Sequence, residues 1–61
     1  KAVDKIYSFF KNKGYEYIII DTEYAKKYGI NETNKRITEM ADGNLFTPIL
    51  QTQGMVLLTI N

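Results

Sequence analysis

"YAKKYGINETNKRI", residues 24–37, decides how this chain folds back on itself. Two short helical patterns meet here, one ending at Tyr28 and the next opening at Asn31, with Gly29 and Ile30 between them. Two helices can cross closely only if the first carries a small residue at the crossing, and Ala25 is one. The turn needs a residue at ease with positive φ, and Gly29 stands four positions later. The apolar Ile30 then follows, placed to plug the space between the helices. Any compact three-helix corner makes the same three demands, so this spacing specifies a tight corner before it specifies a function.

Upstream, Val3, Ile6, Tyr7 and Phe10 recur at three- and four-residue steps, the stripe of an amphipathic helix from Ala2 to about Asn12. Asp4, Lys5 and Lys11 are left for solvent. "NKG" (12–14) ends the helix, with Gly14 suited to a left-handed C-cap. "YEYIII" (15–20) is aromatic and β-branched, hence a strand. Asp21 and Thr22 both qualify as N-caps of a second helix running to Tyr28, with Tyr24, Ala25 and Tyr28 inward. Asn31 can cap a third helix over about 31–41 that turns Thr33, Ile37, Met40 and Ala41 inward and is stopped by Asp42-Gly43. "NLFTPILQTQGMVLLTIN" (44–61) reads as a β-hairpin, with strands near 45–51 and 55–60 and Gly54 supplying the unusual turn angle. Pro48 lacks a donor, so its strand belongs at a sheet edge or a bulge.

The order helix-strand-helix-helix-strand-strand, with its tight turn and terminal hairpin, resembles the winged helix-turn-helix superfamily across nearly the whole chain. The resemblance implies an α+β fold, a three-helix core with a C-terminal β-hairpin wing, as a single domain over residues 1–61. It also implies double-stranded DNA binding with the third helix in the major groove, as in a transcriptional or replication regulator or an architectural protein. The motif's usual apolar position five or six residues beyond the glycine falls on Asn34 or Lys35. Either the turn is one residue short or the third helix starts late. With the inward residues as above, Asn34, Lys35, Arg36 and Thr38 face out, beside Glu32 and Glu39. Lys and Arg can donate to guanine, Asn can bond adenine, and Thr38 can meet a phosphate or a thymine methyl. The glutamates repel phosphates, accept from cytosine, or orient the cations through Glu32–Arg36 and Lys35–Glu39 pairs. Asn31 and Thr22, at helix N-termini, are anchoring points for phosphate. Lys26 and Lys27 can flank the groove, and Gln51, Thr52 and Gln53 form an uncharged wing. A narrower resemblance is to winged helices that bind left-handed Z-form nucleic acid. "NKRIT" supplies Asn34 and Lys35, but Thr38 stands where that family has Tyr, and its Trp-bearing wing is missing.

Composition excludes several classes. With 61 residues the chain is one domain at most and buries only roughly 60% of its unfolded surface. It has no Cys and no His, which removes disulfides, the usual zinc ligands and the commonest nucleophile–base pairs. The carboxylates Asp4, Glu16, Asp21, Glu23, Glu32, Glu39 and Asp42 are scattered among lysines, and no phosphate loop occurs. The sequence therefore predicts neither an enzyme nor a bound cofactor. No apolar run reaches the roughly 18 residues of a membrane span and no signal peptide is evident, so an intracellular location, cytoplasmic or nuclear, is expected. The first residue is Lys1 rather than Met, which suggests either a domain excised from a larger parent chain or a chain trimmed at its start.

Charge is lopsided. Lys and Arg fall in pairs at Lys1 and Lys5, Lys11 and Lys13, Lys26 and Lys27, and Lys35 and Arg36, while no charged side chain follows Asp42. In that uncharged third, Leu45, Phe46, Ile49, Leu50, Met55, Val56, Leu57, Leu58 and Ile60 exceed what one buried sheet face uses. An uncovered hairpin of this kind is an aggregation hazard. A covering partner is expected, foremost a second copy of the chain, which also suits a dimer reading two DNA half-sites. The competing reading is a winged-helix assembly module that uses this hairpin and no nucleic acid. The five tyrosines are expected mainly in packing, with Tyr15 and Tyr17 at the strand edge as exceptions.

Overall fold

A computed structural model describes residues 2–61; Lys1, one of the paired cations, lies outside the described residues. Helix α1 (Ala2–Asn12) leads to strand β1 (Tyr17–Asp21), helices α2 (Thr22–Tyr28) and α3 (Ile30–Asp42), and strands β2 (Phe46–Thr52) and β3 (Met55–Ile60). The fold is α+β, with three helices against one face of an antiparallel sheet ordered β1-β3-β2. The element order is the one the sequence predicts.

The first helix ends as Gly14 allows. With φ at 83°, Gly14 donates to the Lys11 carbonyl at 3.0 Å and Tyr15 to the Phe10 carbonyl at 3.1 Å, while the Phe10 and Tyr15 rings meet at 5.7 Å. Paired bonds with an apolar contact over them make a Schellman termination. It occupies Tyr15, and this is why β1 begins at Tyr17 rather than at Tyr15 as expected. Asp21 takes the cap of α2, its Oδ1 accepting from the Glu23 amide at 3.0 Å, which leaves Thr22 inside the first turn.

The core is Ile20, Met40, Phe46, Val56, Leu58 and Ile60, with Leu58 0% and Met40 1% exposed. Val3, Ile6, Tyr7 and Phe10 close it from α1, and the Tyr7 ring meets Phe46 edge-on at 5.8 Å. Alternation along β3 buries Val56, Leu58 and Ile60 and turns Met55, Leu57 and Thr59 to the other face. Strand β2 lies at the sheet edge, and its register with β3 slips between Pro48 and Leu50, the accommodation a proline requires. Two hairpin expectations need correction. Strand β2 runs one residue later than predicted. Among the described residues only Gly14 and Gly29 have positive φ, so Gly54 supplies space rather than angle: a Cβ there would meet the Thr22 methyl at 3.3 Å.

Candidate functional site

The α2–α3 corner is tighter than the sequence predicts. Gly29 alone separates the helices, with φ 89° and ψ 153°, and its amide donates to the Ala25 carbonyl at 2.8 Å. Ala25 is half-buried, as the crossing demands. Ile30 is not the plug: it opens α3 and is 62% exposed. Thr33 fills that role, 4% exposed, with its amide and its hydroxyl both donating to the Gly29 carbonyl at 3.0 and 2.8 Å. A buried hydroxyl needs such a partner, and the carbonyl of a one-residue turn is within reach. Asn31 is consequently no cap. Gly29 holds that position with no side-chain bond, and Asn31 is an exposed second residue of α3. Tyr28, expected inward, is half exposed, tilted against Tyr24 at 4.5 Å with the Lys27 ammonium 5.4 Å from its ring centre.

Helix α3 is rotated from its expected setting. Thr33 and Met40 are buried and Ile37 is half-buried as predicted, but Ala41 is exposed and Arg36 is not. The Arg36 side chain is 24% exposed, with Nη1 3.5 Å from Glu39 Oε1, and that nitrogen is itself buried without a hydrogen-bond partner. This pair replaces the expected Glu32–Arg36 and Lys35–Glu39 pairs. Arg36 and Ala41 border the buried arc on opposite sides, so the rotation covers one as it exposes the other.

Asn31, Asn34, Lys35 and Thr38 remain as the outer face of α3, all exposed. Between α3 and β2 runs a groove of about 420 Å³, where Asn34, Ile37, Thr38 and Ala41 face Pro48 and Gln51. A smaller depression continues from Asn34 and Gln51 to Thr22 and Gln53. Thus Asn34, Thr38, Gln51, Gln53 and Thr22 come together, with Asn31 and Lys35 on the adjoining helix surface. Lys26 and Lys27 are exposed on α2; Lys26 pairs with Glu23 at 3.6 Å, a surface contact that water and salt weaken. Among the described residues, the side chains of Asn31, Asn34, Lys35, Gln51 and Gln53 make no hydrogen bond or ion pair within the chain. Asn61 is a contrast: its amide accepts from Thr59 and donates to the Asn44 carbonyl and the Thr47 hydroxyl, a fully engaged structural amide. Thr38 is partly engaged, its hydroxyl donating to the Asn34 carbonyl at 2.9 Å. No group of His, Cys, Asp or Glu among the described residues is placed to hold a metal ion.

A second surface was only partly foreseen. On the sheet face away from the helices, Ile19 of β1 lies opposite Leu57 of β3, which lies opposite Leu50 of β2. Ile19 is 56% and Leu50 49% exposed, and Tyr17 and Ile49 are exposed beside them. The apolar excess predicted for the hairpin therefore extends onto β1. The unbroken run Tyr17–Ile20 was the available signal, since a strand wet on one face should alternate. Among the described residues no helix is long and apolar enough to cross a membrane. No protein-family model, curated protein or solved structure matches this chain.

Proposed function

We propose that the chain is a winged-helix domain that binds double-stranded DNA, laying the outer face of α3 in the major groove with the β2–β3 hairpin as its wing. One observation carries this reading. Asn31, Asn34 and Lys35 are exposed and uncommitted on a helix held by a one-residue turn, beside equally uncommitted Gln51 and Gln53. Thr22, at the first turn of α2, borders the same depression and adds a hydroxyl. Such a role goes with an intracellular location, as the binding part of a transcriptional or replication regulator.

The electrostatics make this a weak, shallow contact. Helix α3 carries Glu32, Glu39 and Asp42 against Lys35 and Arg36, and Arg36 is turned to Glu39. Lys26, Lys27 and Lys35 are then the cations available to phosphates. Three phosphate contacts give a salt slope of about −2.7 and a loss of about 40-fold in affinity between about 50 and 200 mM salt. Fluorescence anisotropy with a mixed-sequence duplex measures this directly. Lys35→Ala is expected to weaken binding and flatten the slope by about 0.9, and Arg36→Ala to leave the slope unchanged. Absence of binding at low salt removes the reading.

The row Ile19–Leu57–Leu50 favours a second reading, a winged-helix assembly module that buries the outer sheet face against a second copy or a parent chain. Sedimentation across protein concentration together with the same titration separates the two. An oligomer indifferent to duplex DNA supports assembly.

A further inference from the structure

We propose that the α3 face and its groove discriminate in favour of A·T over G·C base pairs, an inference that rests on the DNA-binding reading above. The argument is an inventory of what is free to reach a base edge. Asn and Gln amides match adenine in the major groove, donating to N7 while accepting from N6, whereas guanine offers O6 and N7 and calls for paired donors from Arg or Lys. In this chain the amides are free: Asn34 and Gln51 both line the groove, and their side chains make no hydrogen bond within the chain. Arg36, the guanidinium that would read guanine, is withdrawn, its Nη1 buried beside Glu39. Lys35 is the single cation left on the outer face of α3.

Thr38 adds to the same preference. Its hydroxyl proton is committed to the Asn34 carbonyl at 2.9 Å, so the side chain offers a ligand its methyl and the oxygen's acceptor lone pairs, and no donor. A methyl packs on the thymine C5-methyl, the one apolar feature of the major groove. Asp42, at the C-terminal end of the groove, repels the phosphate backbone and confines the duplex toward Asn34.

The test is a pair of labelled duplexes with identical flanks, one with a core of A·T pairs and one of G·C pairs, titrated with the whole chain at low salt. The A·T core is expected to bind about tenfold more tightly, the discrimination of a single good bidentate amide contact. Asn34→Ala combined with Gln51→Ala, both at exposed positions, is expected to lower that ratio to about twofold or less, whatever it does to overall affinity. A third duplex needs no variant protein. Replacing adenine by 7-deazaadenine removes only the N7 acceptor and is expected to abolish most of the preference. A preference that survives this replacement arises from minor-groove shape and overturns the proposal. Equal or reversed affinities with both duplexes bound overturn it and leave DNA binding standing. Failure to bind either duplex overturns both.

Discussion

Replacing Gly29 by alanine isolates the backbone contribution of the α2–α3 corner. At φ 89° and ψ 153° the residue occupies a region that glycine enters freely and L-residues almost never do. An added Cβ would find nothing within 4 Å, so no collision contributes to the cost. What remains is conformational strain, on the order of 1–3 kcal/mol. At about 2 kcal/mol the midpoint of thermal unfolding in a domain this small falls by about 8–16 °C. That is a large share of a total stability of about 3–9 kcal/mol for a chain of this length. Far-UV circular dichroism during heating and urea titration gives both quantities. Gly54→Ala is the contrast: its φ is not positive, so any loss there comes from the Thr22 methyl 3.3 Å from the added Cβ and not from backbone strain. A synthetic chain with D-alanine at 29 sharpens the test. The D-residue favours positive φ, and its mirror-image equivalent at this ψ lies just beyond the extended region of an L-residue, so D-alanine should cost clearly less than L-alanine. The reasoning is refuted if L-alanine is tolerated within about 0.5 kcal/mol, or if D-alanine costs as much as L-alanine.

Met40→Ala empties a position 1% exposed at the centre of the core and should cost about 2–5 kcal/mol, enough to abolish a cooperative urea transition; an unchanged midpoint would show that Met40 is not packed as described. Arg36→Met keeps an unbranched apolar side chain and removes a buried nitrogen that has no hydrogen-bond partner, so stability should hold or rise by about 1 kcal/mol, whereas a fall of that size in the melt would show the Glu39 pair to be stabilising. Ile19→Lys places a charge at the β1 end of the outer sheet row, on an edge strand, and should cost under about 1 kcal/mol while shifting any concentration-dependent sedimentation to the monomer. Identical sedimentation of an associating natural chain and this variant would move the interface elsewhere.

Much of the fold was legible because local chemistry and tertiary packing agree. The α1 stripe, the Gly14 termination and the edge position of Pro48 each follow from one residue type meeting one backbone requirement. The corner was legible in its glycine and not in what fills it. Ile30 is the more apolar candidate, yet Thr33 is buried, because it can satisfy its hydroxyl on the Gly29 carbonyl while sitting one turn into α3. Hydrophobicity alone ranks these two residues wrongly; geometry reverses the ranking.

The exposed face of α3 was misjudged for a related reason. Sequence periodicity gave the centre of the buried arc, Thr33–Ile37–Met40, and left its edges open. Both Ala41 and Arg36 border that arc, on opposite sides. Polarity would bury the alanine, yet Ala41 faces an open groove toward Pro48 and Gln51, while the Arg36 side chain is 24% exposed beside Glu39. The consequence for binding is electrostatic. A count of cations along the sequence gives four candidates around the corner, Lys26, Lys27, Lys35 and Arg36, and a salt slope of about −3.6; withdrawal of Arg36 lowers this to about −2.7. Measuring which slope the natural chain obeys, and whether Arg36→Met alters it, tests the rotation of α3 in solution with no further structural information. A slope near the larger value that drops on loss of Arg36 would mean that the guanidinium leaves Glu39 when DNA arrives, and the A·T preference would then lose its main support.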